Sequence, residues 1–185
     1  MIEFLEETHT YLVDGVIKPS VSEIMTPLSK EYYKDINEDI LQMACDRGSA
    51  IHKATEDIDQ DKGYDIKDKW KDYVFQYKKF KALRKPKIKE VEQQLTNGEY
   101  CGTIDRIMDI DGDIWLVDIK TSAKINDTLV AVQLGGYKKL LNDKKVKKYG
   151  VLHLTKTGFK LVEVNPREDI FEALLKIWKY QRSED

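Results

Sequence analysis

Cysteine, proline and long apolar runs are scarce in this chain, and neither sign of charge dominates it. Its two cysteines, Cys45 and Cys101, cannot supply a four-thiolate zinc or iron–sulfur centre. Nothing about them suggests an oxidising compartment, and both are expected as buried small hydrophobes. No stretch approaches the roughly 18 consecutive apolar residues of a membrane span. The opening Met1-Ile2-Glu3-Phe4-Leu5-Glu6-Glu7 is acidic where a signal peptide would be basic. A cytoplasmic protein with no membrane partner is therefore expected. A net charge of −2 argues against a nonspecific polycation, but the two signs are segregated. Lys78-Lys79-Phe80-Lys81-Ala82-Leu83-Arg84-Lys85-Pro86-Lys87-Ile88-Lys89 holds seven basic residues and no acid, and Lys138, Lys139, Lys144, Lys145, Lys147 and Lys148 form a second group. Each run reads equally as a phosphate-facing surface or as an ordinary solvated helix face.

What is present is enough for one folded domain. At 185 residues the whole of 1–185 fits a single core, and 41% apolar against 35% charged residues excludes a disordered chain. Asp14-Gly15 between Thr10-Tyr11-Leu12-Val13 and Val16-Ile17 predicts a small hairpin, followed by a short helix from about Ser20 or Ser22. Apolar periodicity predicts a helix over 37–59, broken or bent near Gly48, with Ile40, Leu41, Met43, Ala44, Ile51, Ala54 and Ile58 on its apolar face. A second helix is predicted over 68–83, burying Trp70, Tyr73, Val74, Tyr77 and Phe80. After Pro86 the pattern alternates, and strands over 88–95, 100–110 and 114–119, joined at Asn97-Gly98 and Asp111-Gly112-Asp113, predict an antiparallel meander. A helix over 128–141, strands over 146–154 and 159–164, and a last helix over 167–180 opened by Pro166 complete the chain. Residues 1–85 are thus expected as a mainly helical N-terminal region with a hairpin, 86–165 as the sheet core, and 166–185 as a C-terminal helix. The fold class is α/β, a mixed β-sheet flanked by helices.

Chemistry concentrates where two of the strands end. In Trp115-Leu116-Val117-Asp118-Ile119-Lys120-Thr121, the period of a strand sends Asp118 and Lys120 to one face and Ile119 to the other. An anion and a cation then stand side by side. The preceding strand carries Gly102-Thr103-Ile104-Asp105-Arg106. Counting outward from Gly112, seven residues reach Asp105 and six reach Asp118, so an antiparallel pair brings the two acids to one end of the sheet. Two carboxylates that close repel unless a cation lies between them, and hard cations such as Mg²⁺ and Mn²⁺ take carboxylate and carbonyl oxygens, here including the Ile119 carbonyl.

The joint pattern resembles the PD-(D/E)XK nuclease superfamily, with Asp105 as the first acid and Asp118-Ile119-Lys120 as its D-x-K element. Arg47-Gly48-Ser49-Ala50-Ile51-His52-Lys53-Ala54-Thr55-Glu56 and Gln133-Leu134-Gly135-Gly136-Tyr137 are similar to the helical motifs of its RecB-like branch. That branch includes phage nucleases and the mitochondrial genome maintenance exonuclease. The resemblance spans about 47–137, with a looser one at His9-Thr10-Tyr11 and Pro19-Ser20-Val21-Ser22.

Several roles are implied by this resemblance. His52, Asp105, Asp118 and the Ile119 carbonyl would hold one or two Mg²⁺ or Mn²⁺ ions, with no iron–sulfur cluster. Lys120 would stand near the attacking water. Glu56, four residues from His52 on the same helix face, would hold nearby donors. Gln133 and Tyr137 would line the groove and touch the lysine or DNA. Arg47 would grip a phosphate, as a guanidinium does with two parallel hydrogen bonds, and Glu92 falls on the strand where the family often carries an acid ahead of its first-acid strand.

The expected activity is hydrolysis of DNA phosphodiester bonds, single- or double-stranded, by an exonuclease of recombination, repair or phage DNA processing. Alternatives are an endonuclease of the same fold, or an inactive nuclease fold that only binds nucleic acid. No G-x-x-x-x-G-K-[ST] loop is present, so a helicase or recombination partner would be a separate chain.

Overall fold

Two Asp-Gly pairs set the turns of the two sheets. In the computed structural model, which describes residues 1–5 and 8–182, Asp14 and Gly15 have φ of 49° and 79°, and Asp111 and Gly112 have 55° and 90°. Consecutive left-handed residues are what a two-residue type I′ hairpin requires. The first turn joins β2 (Thr10–Val13) to β3 (Val16–Lys18), and β1 (Ile2–Leu5) pairs antiparallel with β2 to make a three-stranded sheet rather than the expected hairpin. The short α1 (Val21–Ile24) follows, its first turn closed by a reciprocal pair of bonds between Ser20 and Glu23. Next comes α2 (Thr26–Tyr33), with Pro27 in its first turn.

The long helix α3 (Glu38–Asp59) starts at an Asn37 cap and runs without a break through Gly48. The expected break is absent. A Cβ at Gly48 would meet nothing within 4 Å, and one glycine weakens a helix by about 1 kcal/mol without ending it. Only the second half of α3 reaches the core, through Ile51, Ala54 and Thr55. Ile40 and Met43 are consequently exposed, and so is Cys45, contrary to the burial expected of it; Cys101 is buried. The segment expected as one helix over 68–83 is a 3₁₀ turn (Asp68–Trp70) leading into α4 (Lys71–Arg84). Val74, Tyr77 and Phe80 of α4 are buried and Tyr73 half-buried.

The second sheet has five strands in the order β4 (Lys87–Thr96), β5 (Cys101–Ile110), β6 (Asp113–Lys120), β7 (Lys148–Leu154), β8 (Phe159–Glu163). The first three form the antiparallel meander, β6 and β7 run parallel, and β8 returns antiparallel. The parallel pair needs a crossover, and α5 (Asp127–Leu141) supplies it. Thus the fold is α/β with a mixed sheet flanked by helices. On one face Ile51, Tyr77 and Phe80 of α3 and α4 pack on Met108, Trp115, Val117 and Ile119. On the other, α5 and α6 (Glu168–Arg182) cover Ile107, Leu116 and Val151 with Leu134, Tyr137 and Phe171. Among the described residues no helix is long and apolar enough to cross a membrane.

Candidate functional site

The site grows from the place where β5 and β6 part. Their last paired residues are Arg106 and Val117, and continuing that register sets Asp105 opposite Asp118. Asp105 then turns its carboxylate into the gap, where Oδ2 accepts the backbone N–H of Ile119 at 2.6 Å. Meanwhile β6 stays paired to β7 through Lys120. Alternation along β6 holds as expected. The Ile119 side chain is in the core, while the Lys120 ammonium lies 3.1 Å from Asp118 Oδ1 and 3.0 Å from Oδ2. Asp118 Oδ2 is shielded from solvent, with the Lys120 ammonium beside it. Burial pushes the Asp118 carboxyl up, and Asp105 adds to this while Lys120 opposes it. Burial also acts to lower Lys120, but Asp118 and Asp105 outweigh it and hold the ammonium charged.

His52 reaches this gap from α3. Its Nε2 lies 2.8 Å from the Ile119 carbonyl oxygen, which can only accept, so Nε2 carries the proton. In the neutral ring Nδ1 then presents a lone pair, 3.5 Å from Asp105 Oδ2. The Ile119 carbonyl, expected as a metal ligand, is thus engaged by His52.

Glu92 completes the gap. Continuing the β4–β5 register sets it opposite Asp105, between the pairs Val91–Arg106 and Gln93–Ile104. Its φ of 47° is left-handed, a conformation uncommon for a non-glycine residue. One ligand atom each from His52, Glu92 and Asp105 lies within 4.8 Å of the others. Burial pushes the Glu92 carboxyl up to about 7, the Asp105 charge adding to the rise and His52 and Arg106 restraining it. A ring nitrogen of His52 facing the carboxylates of Glu92 and Asp105 is a donor set that fits a hard divalent cation. Asp118 itself lies outside the three-residue cluster, with its oxygens toward Lys120.

Two further groups come from α5 and α3. Tyr137 packs closely on β5 because Gly102 has no side chain: a Cβ there would lie 2.9 Å from the Tyr137 ring. Its hydroxyl accepts from Gln133 Nε2 at 3.1 Å. Burial and then the charges of Asp118 and Asp105 push this phenol well above its usual range. Arg47 stacks over Tyr73 at 5.6 Å and points Nε at Thr121 Oγ1, 3.4 Å away, just past Lys120. Of the residues singled out from the sequence, Glu56 is not brought in: it pairs with Lys53 at 3.2 Å and with Gln60 Nε2 at 3.3 Å on the helix surface.

Both basic runs are partly spent on internal pairs. Lys81 binds Asp59, Arg84 binds Asp111, Lys138 and Lys139 bind Glu168 and Glu172 of α6, and Lys148 binds Asp113. Sequence reasoning did not reach Tyr11, whose hydroxyl lies 2.7 Å from Thr103 Oγ1, two residues before Asp105. The only sequence signal for it was the opening His9-Thr10-Tyr11. Nor did it reach Arg106, Asp59 and Thr55, which lie directly behind the site.

No family model and no curated protein matches the sequence. Among solved structures, the chain is similar to the "Crystal structure of SSO0001" at 16% identity and a TM-score of 0.48, over 86% of this chain and 73% of that one.

Proposed function

We propose that this chain is a metal-dependent nuclease of the PD-(D/E)XK type and the RecB-like branch, acting on DNA from its ends. The observation that carries the reading is the meeting of His52, Asp105 and Glu92 around one small gap, with the Asp118–Lys120 pair on its wall. A Mg²⁺ or Mn²⁺ ion held by His52, Asp105 and Glu92 would activate water and neutralise charge on a phosphodiester, with Asp118 next to it. Lys120 keeps its proton on Nζ, flanked by acids, and offers N–H donors to a phosphate oxygen as negative charge builds there. Tyr137 and Gln133, bonded to each other on α5, would offer a hydroxyl and an amide to the substrate. Arg47, planar and stacked, is set to take a neighbouring phosphate. In this reading the protein works in the cytoplasm of a bacterial or phage-infected cell, in recombination, repair or phage DNA processing, and a helicase or recombination partner is a separate chain.

End-labelled linear DNA and closed circular DNA, incubated together with the protein and Mn²⁺, test it. Loss of the linear form with survival of the circle is expected. Loss of both means an endonuclease, and survival of both, when the protein still retains DNA on a filter, means a binding protein without cleavage.

A further inference from the structure

Arg106 follows Asp105 directly, so its side chain leaves β5 on the opposite face, toward α3 and α4, where it is fully buried. There it spends its donors in four directions. Nε donates to Asp59 Oδ2 at 2.7 Å, and Nη1 donates to Glu92 Oε1 at 2.9 Å and to the Asp105 carbonyl at 2.6 Å. Nη2 donates to Thr55 Oγ1 at 3.2 Å, and that hydroxyl in turn donates to the His52 carbonyl at 2.9 Å. Asp59 is held from its other side by Lys81 Nζ at 2.6 Å and by the Tyr77 hydroxyl.

One guanidinium thus ties together the helix that carries His52, the strand that carries Glu92 and the strand that carries Asp105. These are the three elements of the candidate metal cluster. Stability alone is a poor reason for the arrangement, because a buried ion pair is commonly no better than well-packed apolar side chains. Geometry is a better one. Glu92 sits in a left-handed backbone conformation, which persists only where its surroundings over-determine it, and the bond from Nη1 is what fixes its carboxylate. A lysine offers no planar fork to reach Asp59, Glu92 and Thr55 at once.

We propose that Arg106 is the positioning residue of the metal centre: it holds Glu92 in the pose that binds the cation and keeps α3 in register with β4 and β5. This rests on the metal-nuclease reading above. Groups behind a metal ligand usually set affinity by about 10- to 100-fold, so binding of Mn²⁺ to the DNA-free protein is the readout, measured by calorimetric titration with thermal unfolding alongside.

Arg106→Lys is expected to weaken Mn²⁺ binding by about tenfold or more, and Glu92→Gln to do the same. The double variant is expected to bind no more weakly than the weaker single one, because both changes remove the same liganding carboxylate from service. Losses that multiply in the double variant, or an Arg106→Lys protein that binds Mn²⁺ as the wild type does, overturn the proposal. So does a loss in Arg106→Lys that Glu92→Gln does not share. Should Arg106→Lys fail to fold, Thr55→Val removes one of the four anchors at nearly constant shape. It is expected to weaken Mn²⁺ binding several-fold, and unchanged binding then counts against the proposal. Wild-type protein that binds no Mn²⁺ overturns the metal reading and this proposal together, whereas binding that the Arg106 and Thr55 variants leave intact overturns this proposal alone.

Discussion

Asp105 Oδ2 accepts the backbone N–H of Ile119 at 2.6 Å, so one carboxylate both faces the candidate metal gap and replaces the missing ladder bond where β5 and β6 separate. Its two duties come apart under substitution. Asp105→Ala leaves a buried N–H without a partner and is expected to cost about 1–3 kcal/mol of stability as well as cleavage. Asp105→Asn keeps an acceptor for that N–H while losing the charge, so it is expected to lose cleavage with little change in stability. Denaturant unfolding and cleavage assays on the two variants check this, and equal stability losses would show that the Ile119 bond does not matter.

Arg47 stacks on Tyr73 and leans on Thr121, which holds its guanidinium at the rim beyond Lys120. If it grips a phosphate, Arg47→Ala should weaken DNA binding about equally for all sequences and lower the slope of log affinity against log salt by about one. Filter binding in EDTA over a range of salt concentrations measures both. An unchanged slope removes Arg47 from the nucleic-acid contacts.

The far side of the sheet gives a purely structural prediction. Gly135 in α5 meets the start of α6 so closely that a Cβ would lie 2.6 Å from the Arg167 carbonyl carbon and oxygen. Backbone cannot swing aside as a side chain can. Gly135→Ala should therefore destabilise the fold by about 1–3 kcal/mol or more, the usual cost of overpacking, and thermal unfolding would register it. A stability equal to wild type would mean that α6 moves freely on α5.

Much of the site was legible because it depends on short-range rules. A strand has a period of two, so Asp118 and Lys120 had to share a face. The Asp111-Gly112 turn then let the register be counted, and Asp105 came out opposite Asp118. Glu92 was harder to place, since a register shift between Ile88 and Glu90 and its own left-handed φ both interrupt the alternation that would have assigned its face. Arg106 was missed for a different reason. Asp59 is 47 residues away in sequence and Thr55 51, and no local pattern predicts which distant helix brings partners to a buried guanidinium. Gly48 and Cys45 misled in the same way: what a helix face meets is decided by tertiary packing, and the first half of α3 meets little.

The central claim is that metal-dependent cleavage of DNA runs through Asp118 and Lys120, whose contact is 3.0 Å. The most direct measurement is digestion of linear DNA with Mn²⁺ by purified wild type, Asp118→Ala and Lys120→Ala, each checked for folding, with an EDTA control. The account predicts cleavage by the wild type that EDTA stops, and none by either folded variant. Undiminished cutting by both variants, or cutting that persists in EDTA, would contradict it.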